Sequence, residues 1–144
     1  MTTANDPSPM AVVERFLQAM SDRDVDAMFA ENAPDLVASF PTAPGGPQVV
    51  RGWDTNRSFY STYIRPMWST YAITRRELHA LADDPNRIVV EYASDGSMVD
   101  GVPYQNRYLS LATVRDGKIT EWTEYSDPAP IEQAMAALRK AAAD

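Results

Sequence analysis

Residues 117–128, GKITEWTEYSDP, decide how the rest of the chain is read. The run opens at a turn glycine, closes at a proline, and carries Glu121, Glu124 and Asp127 interleaved with Trp122 and Tyr125. Its β-prone residues make it a strand, and side chains on a strand alternate between faces. Trp122 and Glu124 therefore share one face, while Glu121, Thr123, Tyr125 and Asp127 share the other. Glu124 and Asp127 reach the same side only through a β-bulge, a device common beside active sites.

Working backwards, TYAITRRELHALADD, NRIVVEYASDGSMVD and VPYQNRYLSLATVRD are further β-prone runs, joined by the turn sequences DDPN, VDGV and RDG. Four long antiparallel strands in a meander are expected. Towards the N-terminus the period changes. Met10, Val13, Phe16, Leu17 and Met20 recur at helical spacing, with Ser8 placed to cap and Pro9 in the first turn. Val25, Met28 and Phe29 mark a shorter second helix, LVASF a strand, and PTAPGGP an irregular loop. Phe59, Tyr60, Tyr63 and Ile64 fall on one side of a third helix running from Trp53 to about Ile64, which Pro66 ends. Pro128 and Pro130 stop the last strand, and IEQAMAALRKAAA closes the chain as a helix with Ile131, Met135 and Leu138 on one side. The fold class is α+β: a cone-shaped barrel of curved antiparallel sheet, closed by three N-terminal helices, plus a C-terminal helix. Its hollow end suits a small molecule.

With 144 residues the chain fits one core. The opening MTTANDPSP is small and polar, without the cationic and apolar regions of a signal peptide. Residues 1–8 are expected to form a flexible tail, residues 9–144 a single domain, and the location to be cytoplasmic. No apolar run approaches the ~18 residues of a membrane span, so no membrane partner is expected. The net charge of -7 disfavours nucleic acid, whose binding needs clustered cations. There is no cysteine and His79 is the only histidine, so no metal site and no cofactor is expected.

The order of elements, ending in DGKITEWTEYSDP, resembles the nuclear transport factor 2-like superfamily, in particular its SnoaL-like and ketosteroid-isomerase-like enzymes. The resemblance covers essentially the whole chain. Two stretches, DLVASFPTAPGGPQVVRGWD and YQNRYLSLATVRDGKITEWTEYSDP, resemble the phenazine biosynthesis A/B subgroup. That resemblance puts Glu124 where the subgroup carries a pocket acid/base glutamate, and Phe59 where it carries a helix histidine. SnoaL-like cyclases carry an aspartate near the end of the same strand, and Asp127 stands at that place. The alternative for Asp127 is to cap the C-terminal helix. Limonene epoxide hydrolase-like enzymes form a further alternative, but their pocket residues correspond here to Ala38, Phe40, Tyr92 and Ser94.

Glu91 is the third catalytic candidate, as a second buried acid, with cross-strand pairing to Arg107 as its alternative. Tyr104 and Asn106 alternate with Tyr108 on one strand face and suit orientation of a carbonyl or hydroxyl. Trp53, Tyr60, Trp68 and Trp122 are the aromatic residues expected to bind substrate. A carboxylate among such residues has its pKa raised by desolvation, towards the range useful for proton transfer near neutral pH. The expected function is acid/base proton transfer on a hydrophobic carbonyl compound, as an isomerase, cyclase, dehydratase or condensing enzyme. The resemblance implies secondary metabolism and a homodimer. The alternative is a non-catalytic ligand-binding or accessory protein.

Overall fold

The computed structural model describes residues 6–144. Of the expected tail, residues 1–5 lie outside the described residues. Pro7 rests against a turn, its Cδ 3.5 Å from where a Cβ on Gly117 would stand.

Helix α1 (Pro9–Ser21) begins as its sequence requires, with the Ser8 hydroxyl accepting from Ala11 N at 3.1 Å and proline in the first turn. Its buried stripe includes Val12, Val13, Phe16 and Leu17. These pack on Ile88, Val90, Tyr92 and Trp122 of the sheet. Helix α2 (Val25–Ala30) is capped by Asp24 and buries Met28 and Phe29. Strand β1 (Asn32–Phe40) is longer than LVASF, and short β2 (Gln48–Arg51) had no periodicity long enough to announce it. Helix α3 (Trp53–Phe59) widens into a π-helical turn over Tyr60–Ile64 and a 3₁₀ turn over Arg65–Met67. Pro66 lies in that last turn, just before β3 (Trp68–Ala80). Strands β4 (Arg87–Met98), β5 (Pro103–Arg115) and β6 (Lys118–Ser126) complete the meander, and α4 (Pro128–Ala143) follows.

The six strands form one curved sheet in the order β2-β1-β6-β5-β4-β3. Two features depart from a closed antiparallel barrel. The sheet is open, with β2 and β3 as its edges, so helices and not strand pairing cover the hollow face. Strand β1 also runs parallel to β6, with its register broken between Asn32 and Val37. Pro34 lies in that gap, where its missing N–H takes nothing from the ladder. At the other edge, β3 has register shifts near Thr70 and Thr74. Gly96 of β4 meets the first of these, where a Cβ would stand 2.2 Å from Thr70 O. The β5–β6 hairpin turns on Asp116 (φ 51) and Gly117 (φ 76), the paired positive angles of a type I′ turn.

Candidate active site

The inner face of the curved sheet and the four helices enclose a cavity of about 500 Å³, with mainly apolar walls. Its acidic group is placed by the register of β6. Ile119 pairs with Val114 and Glu121 with Thr113, so Thr120 is an extra residue at the start of the strand. That bulge brings both Ile119 and Trp122 to the buried face although they are three residues apart. Beyond it the pairing runs unbroken to Ser126 opposite Tyr108. Trp122, Glu124 and Ser126 accordingly line the cavity. Asp127 lies past the strand, exposed, and its carboxylate accepts from Ala129 N at 3.0 Å as the cap of α4. The bulge exists, but at the wrong end of the strand to bring both acids inside.

Glu124 is the one carboxylate on the cavity wall among the described residues. Phenol Tyr92 donates a short hydrogen bond to its Oε1. Burial raises the Glu124 pKa above the ordinary carboxylate value, and hydrogen bonding from Tyr92 and Trp122 offsets part of that rise. Desolvation dominates because the walls near the group offer few dipoles to replace water.

Phenols supply the remaining polar surface. Tyr104 and Tyr108 hydroxyls are 2.9 Å apart, and Tyr108 also bonds Ser94 Oγ at 2.8 Å. Tyr71 lines the cavity beside this group, its ring centroid 5.1 Å from that of Trp68. The Tyr92 and Tyr108 rings stack with centroids 4.5 Å apart. Burial pushes the Tyr60 phenol up to about 12 and raises Tyr71, Tyr104 and Tyr108 as well. These hydroxyls keep their protons at neutral pH and act as donors. The cavity thus sets a carboxyl of raised pKa on the same wall as protonated phenols, an arrangement able to exchange a proton and to donate hydrogen bonds to a developing oxyanion.

Of the aromatic residues expected to bind substrate, Tyr60, Trp68, Trp122 and Tyr104 line this cavity. Trp53 does not; its indole N–H donates to Phe29 O at 2.7 Å and its ring packs on Phe29. Glu91 projects from the opposite face of β4 to Tyr92, exposed, opposite Glu77 and Leu109. It is not a second buried acid, and Arg107 stands opposite Ala93 instead. Asn106 is buried outside the cavity lining, with its amide committed to protein groups. Phe59 lines the wall without a proton to offer. The sequence reading missed Tyr71, Tyr92 and Ser94 around the polar group. Tyr92 and Ser94 alternate correctly for the inner face, whereas Tyr71 shares that face with Trp68 only through the β3 register shift between them, and only the register shows which phenol meets the carboxylate. Among the described residues no three His, Cys, Asp or Glu side chains come together as a metal site.

Comparison with known proteins places this geometry in a setting. The SnoaL-like domain profile matches residues 13–122. The uncharacterized protein YesE of Bacillus subtilis (strain 168) is 27% identical over 128 residues, covering 85% of this chain and 84% of YesE. A candidate isomerase of known structure from Bacillus subtilis superposes with a TM-score of 0.76 at 24% identity, covering 90% of this chain and 93% of that one. The phenazine biosynthesis-related protein PhzB2 of Pseudomonas aeruginosa superposes with a TM-score of 0.74 at 19% identity, covering 90% and 81%. These likenesses show a shared nuclear transport factor 2-like fold.

Proposed function

The chain belongs to the SnoaL-like domain family, and on that premise we propose that it moves a proton at a carbon beside the carbonyl of a hydrophobic small molecule, with Glu124 as proton carrier. The observation that carries this reading is a single hydrogen-bonded carboxylate, raised in pKa, on the wall of an apolar cavity. Ionised Glu124 takes the α-proton, and the carbonyl oxygen gains the charge and accepts a hydrogen bond from Tyr104 or Tyr108. The enolate then has three outlets, each taking back the proton held by Glu124: reprotonation at another carbon, attack on a second carbonyl whose new alkoxide is protonated, or loss of a β-hydroxyl that leaves as water. These correspond to isomerisation, cyclisation or condensation, and dehydration. Needing neither redox change nor an external nucleophile, this chemistry suits an enzyme without a cofactor, acting in secondary metabolism. The same reading gives the chain a cytoplasmic setting. No helix among the described residues is long and apolar enough to cross a membrane.

The test uses 2-tetralone, an apolar bicyclic ketone with acidic α-protons, in heavy water. Proton NMR follows deuterium entering the α-positions. Catalysed exchange in the native chain, lost in Glu124→Gln, is expected; exchange no faster in the native chain than in that variant overturns the assignment. A second reading, ligand binding without chemistry, is favoured by Phe59, which puts an apolar ring on the helix wall where a second proton-handling group would stand. Tight 2-tetralone binding with no exchange supports it.

We also propose a homodimer through the outer sheet face, where exposed Leu109 and Tyr125 stand opposite each other across β5 and β6. Such an apolar pair on a strand surface suits burial against a second copy. Sedimentation of the native chain as a dimer, and of Leu109→Arg as a monomer, is the expected result; a monomeric native chain refutes it.

A further inference from the structure

Asn106 does work that the cavity lining alone does not reveal. It is 6% exposed, on β5, beneath the start of α4. Its Oδ1 accepts from the backbone N–H of Arg107 at 2.8 Å and of Asp127 at 3.3 Å. Its Nδ2 donates to the Tyr104 hydroxyl at 2.9 Å and to Asp127 O at 3.1 Å. Two partners are backbone donors, so the amide has one workable orientation. Two donors and two lone pairs are then all engaged, and none remains for a ligand.

Tyr104 feels the consequence. Its oxygen already receives a proton from Asn106, so its own proton must turn to Tyr108 or to a ligand oxygen. Tyr108 in turn has Ser94 at 2.8 Å. The result is one hydrogen-bonded chain of hydroxyls in which the amide donor occupies a Tyr104 lone pair and keeps the Tyr104 proton turned away from Asn106, each bond polarising the next. The same amide holds both backbone groups of Asp127, where α4 begins, and α4 supplies Ile131, Met135 and Leu138 to the cavity wall. Lifting α4 takes away two of the four Asn106 partners and frees the amide to turn from Tyr104.

We infer that Asn106 is a positioning residue that aligns the Tyr104 and Tyr108 hydroxyls towards a ligand carbonyl and makes that alignment depend on the seating of α4. This rests on the carbonyl-activating reading of the cavity, and the experiment separates the two.

Two probes of nearly equal shape are used: 2-acetylnaphthalene, which carries an acceptor oxygen, and 2-ethylnaphthalene, which does not. Their affinities are measured calorimetrically for the native chain, Asn106→Leu and Asn106→Asp, with amide hydrogen exchange followed over residues 128–143. The native chain is expected to favour the ketone by about fivefold or more, the weight of one neutral hydrogen bond. Asn106→Asp keeps an acceptor for the Asp127 N–H but loses the donor to Tyr104, and a carboxylate there captures the Tyr104 proton. It is expected to bind the hydrocarbon normally, to lose the ketone preference, and to keep more α4 protection than Asn106→Leu. Ketone preference surviving in Asn106→Asp, or equal weakening of both probes, overturns the positioning role, and if Asn106→Leu fails to fold Asn106→Asp carries the test alone. A native chain indifferent to the carbonyl refutes the underlying reading of the site instead.

Discussion

Replacing Glu124 by glutamine tests the centre of the site without any knowledge of substrate. Burial raises the folded-state pKa of this carboxyl above its ordinary value of 4.5. Between those two values the folded chain holds a proton that the unfolded chain has released. Stability therefore falls as pH climbs through this interval, and the loss is complete above the folded pKa. One proton sets the steepest slope, about 1.4 kcal/mol per pH unit. For a domain of this size that corresponds to roughly 4 °C in Tm per pH unit. Glutamine keeps the side-chain volume and an acceptor for Tyr92 but does not titrate. It loses one carboxylate oxygen, so a hydrogen bond such as that from Trp122 is weakened, which gives an offset independent of pH. The signal is the difference in Tm between Glu124→Gln and the native chain, scanned from pH 4 to pH 9. Every other titrating group is common to both proteins and cancels. The difference is expected to move in favour of the variant from about pH 4.5 upwards and then level off at the folded pKa. Parallel curves over the whole range refute the desolvation argument, since they require a carboxylate as well hydrated folded as unfolded.

Three further expectations rest on other parts of the structure. Tyr92→Phe removes a bond that lowers the Glu124 pKa, so the Glu124 titration, read from the side-chain carboxyl carbon by NMR, is expected to move to higher pH; a shift to lower pH contradicts the assigned bond. Asp127→Ala removes the α4 cap and is expected to cost about 1 kcal/mol in urea denaturation while leaving 2-tetralone exchange intact. A collapse of exchange in that folded variant would return Asp127 to the catalytic role. Gly96→Ala forces a Cβ against Thr70 O and is expected to cost about 1–3 kcal/mol by overpacking, with undiminished stability as the contrary result.

Much of the architecture was legible because long elements repeat their pattern. The stripe Val13, Phe16, Leu17, Met20 has one workable conformation, and Asp116-Gly117 has one preferred turn. Short or composite elements were not. β2 is only four residues, too few for alternation to rise above chance. Its pairing with β1, and that of β1 with β6, are long-range choices that no local sequence states. The switch from α to π geometry at Tyr60 is likewise hidden, because apolar spacing of three and four residues suits either helix.

The site was half legible for a sharper reason. Parity alone separated Glu124 from Asp127, and it holds from Trp122 onward because the bulge falls earlier, at Thr120. Had the extra residue come after Glu124, the same letters would have put Asp127 inside. Position of the bulge, not presence of acids, decides which carboxylate is desolvated, and so which pKa rises. The partners follow from register in the same way: Tyr92 and Tyr108 stand opposite each other on β4 and β5, and Ser110 stands opposite Glu124 on β5 and β6. One residue of slippage in either ladder would turn the phenols outward while the sequence stayed the same. The chemistry proposed for this cavity is therefore a property of two strand registers, and β-strand variants that shift them, with every site residue kept, are expected to abolish it.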